Sequence, residues 1–269
     1  MDDISDSDGL SGRDIFGGGL YASQVDEGAC EGRLYSVLHL LTWRNTKWEL
    51  SEYLTELTQT QVNYYLRANF FPNTPDILPF FLQTGGRPAF MIRAVLAATL
   101  SSVYGIYSGF ELCENVAVPG KEEYLNSEKY QFKERDWNAP GNIKDYITKL
   151  NLVRRHNRAM REYENLRFHV VENEQILFYS KATEALDDIV LVLVNLDPFN
   201  TQSGFAYVPV ESFSIEVTDP YQVEDLITGD KYTWRGRRNF VMLDPNSRPA
   251  HVFRVRRFVG MEGTQALFA

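Results

Sequence analysis

The decapeptide NFFPNTPDIL, residues 69–78, carries one carboxylate, Asp76, out of an otherwise apolar segment. Such an acid either caps the helix that follows, by accepting its first free amides, or works as a functional carboxylate at the mouth of a sugar site. The residues alone leave both readings open. A second stretch, SEKYQ at 127–131, sets Lys129 beside Tyr130. Taken without context, these are a loop lysine and a packing tyrosine. Trp43 and Arg44 could reach the same cleft, but they read better as a core tryptophan with a structural arginine. For Arg135, Asp136 and Trp137, an ion pair that locks a loop beside an aromatic and a direct substrate contact stand equally open. His39, His156, His169 and His251 are scattered without ligand spacing, so they imply packing or surface roles and no metal site. Cys30 and Cys113 are too few for a disulfide framework and suit a reducing compartment.

The elements that must position these residues follow from pattern. LYSVLHLLTW (34–43) is a compact apolar run of the kind buried on both faces of a sheet. TKWELSEYLTEL (46–57) follows with helical spacing and puts Leu50, Leu54 and Leu57 on one side. ANFF (68–71) reads as the next strand, then a loop with Asp76, then a helix opening at GGRP, where Gly85 and Gly86 relax the turn and Pro88 suits the first helical position. VYGIYSG (103–109) is a third strand, followed by a long polar loop to about residue 140 and a long helix over 143–163. Alternating strands and helices argue for parallel β/α units, in which chemistry sits on loops after strand C-termini, where Asp76 falls.

Beyond residue 166 the period changes. RFHVVEN, QILFYSKAT, DDIVLVLVNLD, SGFAYVPV, SIEVTDP, KYTWRG, RNFVMLD and HVFRVRR are short, β-branched and aromatic, and divided by Gly, Asp, Asn and Pro, the pattern of an antiparallel β-sandwich. The expected organisation is a lead-in over 1–33, β/α units over 34–164, and a β-sandwich domain over 165–269. The lead-in, MDDISDSDGLSGRDIFGGGL onward, is acidic and then glycine-rich, which reads as disorder, and it lacks the basic and apolar regions of a secretory signal.

With 44% hydrophobic and 23% charged residues in 269, the chain is of globular composition. Its net charge of −9 argues against general nucleic-acid binding, which needs a basic face. The basic run RRHNRAMR (154–161) reads as the solvated end of the long helix, and WRGRRNF (234–240) as a hairpin turn. The most apolar window, 89–107, is interrupted by Arg93, two serines and Gly105 and does not read as a membrane span.

Four of these wordings together, TWRNTKWELSEYLTEL, NFFPNTPDIL, GGRPAFMIRAVLAATLSSVYGIYSGFELCEN and EEYLNSEKYQFKERDW, resemble the C-terminal half of the bacterial α-1,4-glucan:maltose-1-phosphate maltosyltransferases (GlgE-type) of the α-amylase clan. The resemblance runs from about Thr42 to Arg257. It implies that the β/α units are the last three of a (β/α)8 barrel, which takes about 250 residues when whole. It implies retaining transfer of maltosyl units from α-maltose 1-phosphate to an α-1,4-glucan, with Asp76 as the transition-state stabiliser and Lys129 and Tyr130 contacting the non-reducing glucose. It also implies no metal or organic cofactor and a homodimer, while the cysteine usage makes the expected location cytoplasmic. The family's nucleophilic aspartate and general-acid glutamate belong upstream of the matching region. Residues 1–33 do not resemble that region, and Asp26, Glu27 and Glu31 receive no catalytic role. The 269 residues by themselves are therefore expected to be inactive. Two alternatives stand beside this: a non-catalytic carbohydrate-binding or assembly module built on the β domain, and another amylase-clan hydrolase or a trehalose-forming isomerase.

Overall fold

The computed structural model describes residues 43–127 and 132–258 in full and residues 35–40 by their backbone. The expected lead-in over 1–33 lies outside the described residues, as do Lys129 and Tyr130. Strands β1 (Tyr35–Leu40), β2 (Leu66–Phe71) and β3 (Val103–Tyr104) form a sheet in that order, with both pairings parallel. Helices α1 (Lys47–Gln59) and α2 (Phe80–Leu100) make the two crossovers, and α3 (Lys144–His156) follows β3 after a long loop.

Local chemistry sets these elements. Thr46 opens α1 through a capping box: its hydroxyl accepts from Glu49 N at 3.2 Å, and Glu49 Oε2 accepts from Thr46 N at 3.0 Å. The expected face of Leu50, Leu54 and Leu57 is buried. Helix α2 has its break where GGRP stands. Gly86 adopts φ 56°, ψ −157°, which only glycine takes readily, so a short turn from Phe80 precedes the main body that begins at Pro88. Strand β3 is shorter than expected, two residues rather than seven. A Cβ on Gly105 would lie 2.2 Å from the Phe71 ring, so the chain passes under that ring and leaves the sheet.

The eight remaining strands are β4 (Leu166–Phe168), β5 (Ile176–Ala182), β6 (Ile189–Asn195), β7 (Gln202–Tyr207), β8 (Pro220–Asp225), β9 (Lys231–Arg235), β10 (Arg238–Leu243) and β11 (Ala250–Arg257). They form a six-stranded antiparallel sheet, β4-β5-β6-β11-β8-β9, and a two-stranded ribbon, β10-β7. The six-stranded sheet is covered on both sides. Val190, Val192 and Val194 of β6 join the core shared with α2 and α3, while Ile189, Leu191 and Leu193 join the core under the ribbon. This is why β6 is an unbroken apolar run instead of an alternating one.

Three expectations need correction. SIEVTDP is not a strand: Ser214 sits at φ 55° and Asp219 N closes a turn on Glu216 O at 3.0 Å, so the chain bends there and the strand is β8. WRGRRNF is not a hairpin turn within one sheet: Gly236, at φ 66°, turns the chain from β9 in the large sheet to β10 in the ribbon. The long helix ends at His156. Buried Asn157 turns its amide back to Val153 O at 2.7 Å and accepts from Arg254 Nε and Nη2 at 3.1 and 3.0 Å, and a separate 3-10 turn, Arg158–Arg161, follows. Arg154 also departs from the solvated role expected of it. Half-buried, it donates to the carbonyls of Ala98, Ser101 and Ser102 and so caps the C-terminal end of α2, with its ring neighbour Tyr104 at 4.9 Å. No helix among the described residues is long and apolar enough to cross a membrane.

Candidate functional site

Asp76 lies just beyond the C-terminal end of β2, on a tight turn closed by Thr74 N to Ile77 O at 3.1 Å and Ile77 N to Thr74 O at 3.2 Å. Pro75 supplies the fixed φ that such a turn favours at its second position, and Asp76 stands exposed at the third. The turn is anchored from behind by Asn73, which is fully buried. Asn73 Nδ2 donates to Tyr124 Oη at 2.7 Å and its Oδ1 accepts from Tyr107 N at 3.0 Å. These two tyrosines come from the loop after β3 and pack edge to face, 5.5 Å between ring centres.

That loop builds a small arm over 116–125. Val118 N bonds Glu123 O at 2.9 Å, Leu125 N bonds Val116 O at 3.0 Å, and Gly120 turns the tip at φ 74°. The arm's Glu122 ties three elements together. Its backbone oxygen accepts from Leu78 N at 2.9 Å, Oε1 accepts from Phe80 N at 2.8 Å, and Oε2 accepts from Trp43 Nε1 at 2.8 Å. The carboxylate at the N-terminus of α2 is thus Glu122, while the cap position itself holds Pro79. The capping role that the sequence left open for Asp76 belongs to a residue 46 positions later in the chain.

Trp43 is not the core tryptophan expected: it is 45% exposed at the same end of the sheet, its ring held by Glu122. Arg44 is structural, its guanidinium 3.5 Å from the Tyr53 ring centre. Its carbonyl accepts from Arg93 Nη1 at 2.9 Å, and Arg93 Nη2 reaches Asn45 Oδ1. Arg93 is wholly buried, with Phe81 stacked at 4.5 Å, and burial lowers its pKa to about 10. It pins the TWRN segment to α2, and the lone charge inside AFMIRAVLAATL was the signal for it. Arg135 does lock a loop, but through Glu114 and not Asp136. Its Nε is 2.9 Å from Glu114 Oε1, its Nη2 donates to Ser108 O at 3.2 Å, and Lys133 Nζ reaches Glu114 Oε2 at 2.8 Å. Burial pushes the Glu114 carboxyl up, and the two cations outweigh it and hold the pKa below the ordinary value. Asp136 instead accepts from Asn138 N at 2.9 Å, and Trp137 is exposed. Cys113 is half-buried, and desolvation raises its pKa to about 11, which leaves an inert thiol.

The structure therefore brings Asp76, Trp43 and the Glu122 arm to one end of the parallel sheet. Neither Asn73 nor Glu122 was singled out from sequence, because their partners lie in distant loops.

Residues 168–255 match the family model described as GLGE, C-terminal. The chain is 55% identical over 214 residues to an α-1,4-glucan:maltose-1-phosphate maltosyltransferase of Rhodospirillum rubrum, covering 80% of this chain and 31% of that protein. The chain matches the C-terminal part of the GlgE-type maltosyltransferases. A GlgE-type relative from Chlorobaculum tepidum is 50% identical over 221 residues, 80% of this chain and 33% of its own length. The chain thus spans about a third of the length of these curated GlgE-type relatives. Among solved structures, the α-amylase of Geobacillus thermoleovorans complexed with acarbose is similar with a TM-score of 0.57 at 14% identity, over 79% of this chain and 44% of that one. AmyP in complex with maltose gives 0.58 at 15% identity, over 78% and 44%. At such identities the likeness shows the fold alone, here mostly antiparallel sheet.

Proposed function

We propose that this chain supplies the C-terminal part of a retaining maltosyltransferase that moves maltosyl units from α-maltose 1-phosphate to the non-reducing end of an α-1,4-glucan. The observation that carries the reading is the 55% identity to a protein of that name over four-fifths of the chain. The geometry supports it: a carboxylate is presented on a rigid turn at the C-terminal end of a parallel strand, and capping of α2 is done by another acid. In this reading β1, β2 and β3 are strands of the last three units of a (β/α)8 barrel, and the β domain begins at residue 165.

Asp76 is the transition-state stabiliser. A carboxylate that accepts from sugar hydroxyls binds more tightly as the ring flattens and gains oxocarbenium charge, so its effect is on the barrier and not on the ground state. Lys129 and Tyr130 hold the non-reducing glucose, the ammonium donating to hydroxyl oxygens and the phenol ring packing on C–H groups. In this reading the nucleophile and general acid belong to the part of the relatives that this chain does not match. The intact enzyme is a cytoplasmic homodimer.

The test is a chimera. Residues 42–257 replace the matching part of the Rhodospirillum relative, and phosphate release from α-maltose 1-phosphate is measured with maltohexaose as acceptor. The chimera is expected to turn over, and Asp76→Asn to lower kcat by about 100- to 1,000-fold. A folded chimera without phosphate release, or an Asp76→Asn variant at full rate, overturns the reading.

A further inference from the structure

Lys181 has no exposed surface. It lies on the face of β5 that looks toward the helices: Tyr179, two residues back, and Val190, its partner across the sheet, both belong to the core shared with α2 and α3. Its Nζ donates to Glu162 O at 2.6 Å, and among the described residues that is its one hydrogen bond. A charged ammonium carries three donors, so two would be left bare together with a full charge in an apolar setting, whereas a neutral amine leaves one N–H bare and no charge to desolvate. The surroundings argue the same way. Arg154, on α3, brings a like charge whose guanidinium is fixed on the carbonyls of Ala98, Ser101 and Ser102. Glu162 acts in the opposite sense, but its residue is exposed and no salt bridge joins it to Lys181 among the described residues. From β4 and β6 the neighbours in register are Leu166 and Val190, both apolar, and Tyr179 is bonded to Thr99 of α2.

We propose that Lys181 is a proton-operated latch between the six-stranded sheet and the layer packed on it: neutral, it lets the segment 158–166 close on β5, and taking up a proton from solvent it loosens that seam. The segment starts right after Asn157, which stops α3, and a few residues after Arg154, which caps α2, so the latch acts on the joint between helices and sheet. This role goes beyond the transfer reaction and does not rest on it.

The sign follows from the two states. Burial, and then Arg154, lower the pKa of Lys181 from 10.5 to about 7 in the closed seam. Between those values the open seam holds a proton that the closed one lacks. Falling pH in that window therefore favours opening, by about tenfold per pH unit, and below the closed-state pKa the dependence stops because both forms are protonated.

Hydrogen exchange of the full chain, followed by mass spectrometry from about pH 6 to about pH 9.5 with labelling times corrected for intrinsic exchange, tests this. Protection of amides in 158–168 is expected to fall about tenfold per unit from high pH to neutrality and to level off below, while Lys181→Met removes the slope. A flat profile in the wild-type chain, or an unchanged slope in Lys181→Met, overturns the proposal. Should Lys181→Met fail to fold, Cε-labelled lysine in the wild-type chain decides by NMR. One lysine titrating near neutrality supports the latch, and all lysines titrating in the ordinary range overturn it.

Discussion

Asn73 uses both ends of its amide inside the protein, one for the Tyr107 backbone and one for the Tyr124 hydroxyl, and it sits three residues before the acid it helps to position. Replacing it by leucine keeps the volume and leaves a buried N–H and a buried hydroxyl without their partner. The expected loss is about 2 kcal/mol in a denaturant melt, and Asn73→Asp should lose less because its oxygens still accept from Tyr107 N. Equal losses for both variants would show that the bond from Tyr107 N returns no more than burying a carboxylate there costs. Asp76 itself stood out in the sequence because a charge interrupts an apolar run. Asn73 did not, since its partners are 34 and 51 positions away and a buried amide carries no local signature. Arg93 lies between these cases: the charge was plain within its helix, and its targets, Arg44 O and Asn45, were not. Lys129 and Tyr130 remain readings of wording alone, outside the described residues.

Helix α2 shows how far pattern reaches for an element. The glycines and proline of GGRP told of a break, and the break is Gly86 at φ 56°, with Pro88 Cδ, at 4.0 Å, the nearest atom a Cβ there would meet. Since space is free, Gly86→Ala tests backbone conformation alone. It should cost about 1–3 kcal/mol and shift the melting temperature down, and an unchanged melt would mean that the two helical pieces merge without strain. Elements governed by local signals were readable: the leucine face of α1, the apolar run of β6, the short strand β10. Those governed by distant partners were not. α3 stops at His156 because Arg254, 97 positions on from Asn157, claims that side chain. β8 was missed because its inward positions are Tyr221, Val223 and Asp225, and the last is a fully buried acid where the period asks for an apolar residue. Asp225 is satisfied there by Ile227 N at 2.9 Å and His251 Nδ1 at 2.6 Å, contacts that no strand pattern announces.

Across the whole molecule the deciding feature is that one sheet serves two cores. Leu177, Tyr179, Val190, Val192 and Val194 point toward the helices, and all are essentially buried. At about 2 kcal/mol for each side chain, burying these five contributes on the order of 10 kcal/mol, which is comparable to the entire stability of an ordinary domain. Strands and helices could be assigned to separate regions from the change of period near residue 166, but the dependence of one region on the other could not, because a run such as IVLVLV reads the same whichever layer covers it. The consequence is that residues 165–269, expressed alone, should not behave as a soluble folded monomer. They would present that apolar face to water, together with the uncapped Lys181, so the fragment is expected to bind more hydrophobic dye and to self-associate more strongly in sedimentation than the full chain. Mutating the same face to Thr at 190, 192 and 194 should restore solubility to the fragment and destabilise the full chain, a reversal that no simple surface effect produces. A monomeric, cooperatively melting 165–269 fragment with an unmutated face would instead show that the sandwich stands on its ribbon-side core, and it would return weight to a β module that works without the helices.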